Sequence, residues 1–200
     1  EYMDLTRKDS INQGGFIWDF VDQGLRKKTA DGKEIYAYGG DYNPYDASDK
    51  NFCDNGLISP DRVPNPHMDE VKYQYQDIWA YPVDLKNGKI EVYNENFFRN
   101  LDNYLLRWSL LSDGHVLETG VCDLPRIEPG QRTGITLPYS LPSLDKETLL
   151  NVEFITRNEF QQVPAGHVQA RVQLPISDYK FTDPVLNASE KPLTVNSANV

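Results

Sequence analysis

Between Gly14 and Gly56 the chain gathers residues of two chemical kinds. Trp18, Phe20, Tyr36, Tyr38, Tyr42, Tyr45 and Phe52 supply aromatic faces, and Asp19, Asp22, Asp41, Asp46, Asp49, Asp54 and Asn55 supply oxygens. Aromatic rings can stack on the C–H face of a sugar while carboxylates and amides accept from its hydroxyls, and mixed pockets of this kind also serve many other ligands. The same oxygens suit a hard cation such as Na⁺, Mg²⁺ or Ca²⁺. Residue types alone leave a second reading open, an acidic, solvated loop pinned by its aromatics. No other constellation competes. The sequence has no GxSxG, no HExxH, no phosphate-binding glycine loop and no CxxC. Its histidines, His67, His115 and His167, are isolated. His67 beside a proline and His115 in a tight turn read as solvated, since metal sites need clustered ligands.

Elements must position these residues. Residues 1–13 read as the tail of a helix and a turn. Gly14-Gly15 then leads into Phe16-Ile17-Trp18, and the spacing predicts a short buried strand over 16–21 that opens into the loop 23–56. A buried strand feeding such a loop is the layout of an active site in a parallel α/β barrel. Within the loop, residues 25–29 and 33–38 predict a hairpin turning at Asp31-Gly32. A proline-punctuated turn over 59–66 follows. Pro66 opens a predicted helix running to Gln76, with Asn65 as its cap and Met68, Val71, Tyr75 and Ile78 as its packing stripe.

From Asp77 the period changes from helical to alternating. Strands are predicted over 78–85 (an edge strand, because of Pro82), 89–94, 103–111, 116–121, 132–137, 149–157 and 167–174, with an Asn87-Gly88 turn between the first two. Seven short strands with turn signals between them read as an immunoglobulin-like sandwich, with Trp108 on its third strand. Residues 175–200 are polar and proline-punctuated and read as a linker or the start of a further β-domain.

The totals set bounds. The chain has 200 residues, 39% hydrophobic and 12% aromatic, a globular composition. A net charge of −10 argues against a nucleic-acid backbone or an anionic membrane surface as partner. No apolar run approaches the roughly 20 residues of a membrane span. Cys53 and Cys122 are distant and read as two free, buried thiols. The compartment, cytoplasmic or periplasmic, stays open.

Several spaced blocks, in one order, carry a resemblance. GGFIWDFVDQG at 14–24, YGGD at 38–41 and NFCDNGLISPDRVPNPHMDEVKYQYQ at 51–76 resemble the family 2 glycoside hydrolases, specifically the large multidomain β-galactosidases. EVYNENFFRNLDNYLLRWSLLSDG at 91–114 continues the resemblance more weakly. It implies a mainly β chain with an α/β N-terminal piece. Residues 1–76 would be the last strand and helix of a (β/α)₈ catalytic barrel, with 23–56 its active-site loop. Residues 77–174 would be the immunoglobulin-like β-sandwich that follows.

The resemblance further implies site roles. Trp18 matches the tryptophan whose ring lines the galactose pocket. Phe52 matches the aromatic whose backbone carbonyl binds Na⁺, and Asn55 the asparagine whose side-chain oxygen binds the same ion beside the sugar. The family's loop asparagine near a second Mg²⁺ falls on or near Ser48, so no Mg²⁺ ligand is assigned, and Mg²⁺ would be held by residues outside this chain. The family's two catalytic glutamates precede the last barrel strand and would lie upstream of Glu1, so no catalytic residue is assigned here. Implied partners are a β-galactoside, the remaining domains of the same enzyme and further copies in a homo-oligomer. One strand and one helix cannot close an eight-fold barrel; residues 1–76 alone are expected to expose Phe16, Trp18 and Leu57. A reading of another class is a stand-alone, noncatalytic immunoglobulin-like binding or adhesion module. A third is a related family 2 enzyme acting on another β-linked sugar.

Overall fold

The structure, a computed structural model, describes residues 2–143, 145–179 and 181. Helix α1 spans Tyr2–Lys8 and buries no side chain. The hairpin expected around Asp31-Gly32 is present: β1 (Leu25–Lys28) pairs antiparallel with β2 (Glu34–Ala37). A one-turn helix α2 (Gly39–Tyr42) and a 3₁₀ turn (Lys50–Cys53) break up the rest of the long loop. Helix α3 runs His67–Gln74. Its first-turn acids Asp69 and Glu70 suit the positive end of the helix dipole. The expected Asn65 cap is not made. Pro66 occupies the cap position with no side-chain cap bond, and Asn65 Nδ2 donates to the Gly56 carbonyl.

Residues 16–21 do not form the buried strand that their composition predicts. Phe16 and Trp18 are exposed, at 105% and 74%, and only Val21 makes a bridge, parallel, to Ile58. A lone strand has no ladder and no opposing layer, so an apolar run by itself buries nothing. Leu57, expected to be exposed, is buried at 7%, because its peptide lies against the Asp19 backbone.

The sandwich forms as expected. Its strands are β3 (Ile78–Asp84), β4 (Lys89–Asn94), β5 (Tyr104–Ser112), β6 (His115–Asp123), β7 (Arg132–Thr136), β8 (Thr148–Thr156) and β9 (Val168–Ser177). They make two antiparallel sheets, a three-stranded β3-β4-β7 and a four-stranded β6-β5-β8-β9. Pro82 sits in β3 at a sheet edge, where its missing N–H costs no ladder bond. Strand β9 continues through Pro175 to Ser177, which corrects the reading of 175 onward as linker. Most of that tail lies outside the described residues.

Alternation decides the core. Tyr104, Leu106, Trp108 and Leu110 of β5 point inward with Leu150, Val152 and Phe154 of β8, and meet Ile78, Ala80, Ile90 and Val92 from the other sheet. Asn94 is fully buried at the end of β4 without a polar deficit. Its amide donates to the carbonyls of Arg99 at 2.8 Å and Ile127 at 3.0 Å, and its Oδ1 accepts from Asn96. Trp108 rests on Gly120 of the neighbouring strand and on the Tyr139 ring, 5.7 Å between centroids. The glycine is required there, since a Cβ would lie 2.6 Å from indole atoms.

The two halves of the chain meet at Glu95. Its carboxylate accepts from Arg7 Nε at 2.9 and 3.0 Å and from the Trp79 indole N–H at 2.7 Å. The Arg7 guanidinium also lies 4.7 Å over the Trp79 ring and donates to the Gln74 carbonyl. Tyr73 of α3 meets Trp79 edge-on at 5.5 Å. The side chain of Gln76 accepts from the backbone N–H of Arg171 in β9 at 2.9 Å.

Gly120→Ala is expected to force Trp108 off its rotamer and to cost about 1–3 kcal/mol. Chemical denaturation measures this, and an unchanged midpoint would mean that the strand can give way at no cost.

Candidate functional site

The loop of interest is zipped to the segment before it by a short parallel ladder. Leu57 N–H donates to the Asp19 carbonyl at 3.1 Å, Ile58 N–H to that of Phe20 at 3.0 Å, and Asp22 N–H to that of Ile58 at 3.0 Å. Gln23 N–H adds a bond to the Cys53 carbonyl at 2.9 Å. Trp18 and Asn55 therefore enter the ladder from the same end, one residue before Asp19 and two before Leu57. Gly56 makes the approach possible. A Cβ there would sit 2.4 Å from the Asp22 nitrogen and 2.8 Å from the Val21 carbonyl carbon, both backbone atoms that cannot swing away.

Side chains complete the fastening. Gly56 N–H donates to Asp22 Oδ1 at 2.6 Å. The Gly56 carbonyl accepts from Asn65 Nδ2 at 3.0 Å and lies 3.0 Å from His67 Nε2. His67 is exposed, as expected, and its ring also has a backbone partner. The one signal for this was the spacing of two polar residues either side of Pro66, directly before a helix.

Trp18, Phe52 and Asn55 are all exposed. Among the described residues, neither the Phe52 carbonyl nor the Asn55 side chain makes a hydrogen bond. Their oxygens are free to take an external partner. The surroundings are negative. The Cys53 thiol is pushed up by burial and then by the carboxylates of Asp54, Asp19 and Asp22. Asp19 Oδ1 and Asp54 Oδ1 are buried without a hydrogen-bond partner. A hard cation fits such a set, oxygen donors within a negative field. Among the described residues, no cluster of three or more His, Cys, Asp or Glu side chains is arranged to hold a metal by itself. Both cysteines are free and half-buried. Ser48 is occupied within the loop, its hydroxyl oxygen accepting from the N–H groups of Gly40 and Lys50 at 3.2 and 3.1 Å.

The hairpin is latched to the turn after the ladder. Arg26 donates twice to Asp61, both at 2.7 Å, and the Tyr36 hydroxyl donates to the same carboxylate. Lys27 lies 4.5 Å over the Tyr42 ring.

The structure thus joins an N-terminal piece, in which the segment before the hairpin and the end of the long loop pair through a short parallel ladder, to an immunoglobulin-like sandwich. Residues 1–80 match the TIM barrel domain of the glycosyl hydrolases family 2, and residues 90–177 match domain 4 of β-galactosidase. The chain belongs to glycosyl hydrolase family 2. It is 39% identical to a β-galactosidase of Photobacterium profundum over 89% of its own length and 17% of that protein's. It is 36% identical to a β-galactosidase of Vibrio vulnificus over 98% of its length, and 36% identical to β-galactosidase 2 of Enterobacter cloacae over 100%. In both of these it spans 19% of the relative.

The latch sets a pH dependence. Hydrogen bonds from Arg26, then Tyr36, hold the Asp61 carboxyl below its ordinary range. A lowered value means that the latch is complete above the ordinary aspartate pKa and is lost as pH falls through the lowered one. The Tyr36 ring resonances are expected to titrate with a midpoint below ~3.9. A midpoint at or above that value would remove the latch.

Proposed function

We propose that this chain is part of a retaining β-galactosidase that hydrolyses terminal, non-reducing β-D-galactose residues. It contributes one wall of the galactose pocket through Trp18 and a pair of Na⁺ ligands, the Phe52 carbonyl and the Asn55 side-chain oxygen. The observation that carries this reading is the shared end of the parallel ladder. Trp18 with an exposed ring and Asn55 with an uncommitted amide are delivered there together. That the relatives are β-galactosidases supports the choice of sugar.

In this reading the Trp18 ring covers the C–H face of the sugar and excludes water from it, while Asn55 meets its hydroxyls. Bound Na⁺ supplies a fixed positive charge beside the sugar. Retaining hydrolysis needs two carboxyl groups roughly 5–5.5 Å apart, one as nucleophile and one as acid and base. None of this chain's glutamates is given either role, and the pair belongs to the remainder of the enzyme, as do the Mg²⁺ ligands. A stand-alone adhesion module fits less well, since Phe16 and Trp18 project at 105% and 74% exposure from a segment that belongs to no sheet.

In the full-length enzyme, Trp18→Ala is expected to lower kcat/KM for an aryl β-D-galactoside at least about tenfold, near 1.4 kcal/mol of transition-state binding. Steady-state kinetics decides it, and an unchanged kcat/KM would strip Trp18 of the role.

A further inference from the structure

The two peptide groups around buried Gly56 are held by three side chains that come from other parts of the chain. Asp22 takes the N–H at 2.6 Å, and Asn65 and His67 converge on the carbonyl at 3.0 Å each. A carbonyl only accepts, so His67 carries its proton on Nε2. The next N–H, of Leu57, is taken by the Asp19 carbonyl. The fasteners come from two elements, Asp22 from the ladder and Asn65 with His67 from the start of α3. Asn55, the residue immediately before the fastened peptide, has a side chain bound to nothing among the described residues. Phe52 lies three residues further back, just before the Cys53 carbonyl that Gln23 holds.

We propose that Asp22, Asn65 and His67 form a clamp of positioning residues that orients Asn55 and the Phe52 carbonyl. The inference rests on the reading of those two residues as sugar and Na⁺ ligands. The clamp touches neither sugar nor ion. It removes the freedom of the one turn whose oxygens would otherwise have to be ordered when a ligand arrives, so affinity depends on it through preorganisation. Such a clamp must be read through binding, because a merely structural tie would lower stability and leave ligand affinity alone.

The test uses the full-length enzyme. Its variants are His67→Ala, His67→Gln, Asp22→Ala and Asp22→Asn. Glutamine restores an N–H donor and asparagine an oxygen acceptor. The first readout is the Na⁺ concentration that half-maximally raises Tm without substrate. The second is KM for an aryl β-D-galactoside at saturating Na⁺. Both alanine variants are expected to raise the Na⁺ midpoint and KM at least about fivefold, and the conservative variants to stay within about twofold of wild type. Should Asp22→Ala fail to fold, exposed His67 carries the test alone. Alanine variants with a lowered Tm but wild-type Na⁺ midpoint and KM would overturn the clamp and leave the galactosidase reading standing. A wild type whose Tm ignores Na⁺ would overturn the metal half of the clamp, and a wild type without galactosidase activity would overturn both readings together.

Discussion

The N-terminal half depends on one close approach, the backbone of Gly56 against that of Val21 and Asp22. No side chain larger than hydrogen fits between them. Everything local follows from that contact. It lets the parallel ladder form, buries Leu57 and Ile58, and brings Asp22 within reach of the Gly56 N–H. It also fixes what lies beyond each end of the ladder. Trp18 and Asn55 share one end, while the hairpin and its Arg26–Asp61 latch share the other. A buried backbone group without a partner costs about as much as a lost hydrogen bond, and here each is matched by a partner from a different segment.

The sandwich rests mainly on alternation across two sheets, with Gly120 making room for a tryptophan and Gly88 for the Leu137 carbonyl. Its link to the N-terminal half is chemically of another kind. Glu95 answers two donors at once, a guanidinium and an indole, and the guanidinium lies on the same indole ring. A lysine at position 7 would keep the charge and lose both the fork and the stacking. The geometry of the loop relative to the sandwich thus passes through a few directional contacts rather than a shared apolar core.

The sequence made the sandwich legible because period-2 patterning is local: β5, β8 and β4 can each be read by themselves. The hairpin at Asp31-Gly32 and the edge position of Pro82 were legible for the same reason, being written in single residues with fixed backbone demands. Residues 16–21 were legible only in part: Phe16 and Trp18 are exposed as expected where no barrel closes over them, but the strand itself does not form. An apolar run is a buried strand only when a neighbouring strand and an opposing layer exist, and neither condition is written in the run. The Asn65 cap failed differently. Its side chain is held by the Nδ2 bond to the Gly56 carbonyl, 9 residues back in the chain, and its Oδ1 caps no helix N–H; no local pattern reports such a partner. Trp18, Phe52 and Asn55 stand out as residue types and take their roles from a resemblance to a family; the convergence of Asp22, Asn65 and His67 on Gly56 joins residues far apart in the chain and has almost no local signal.

The electrostatics of the loop argue for what its free oxygens are for. Burial and three carboxylates push the Cys53 thiol up, so it is a poor nucleophile in a place where an activated thiolate would need nearby positive charge. The same negative field would disfavour any anionic substrate. It favours a neutral polyol or a cation, and the two are compatible, because an ion bound by a carbonyl and an amide relieves the field that a sugar's hydroxyl oxygens would meet. Buried Asp19 and Asp54 oxygens without partners sharpen the point. Lone pairs left unanswered inside a protein are costly, and a positive charge in this loop would offset that cost at several oxygens together. In the proposed reading the aromatic and acidic residues of the loop would act as one device rather than two: rings that would receive a sugar's apolar face, and a negative cradle that a bound cation would make tolerable to its hydroxyls.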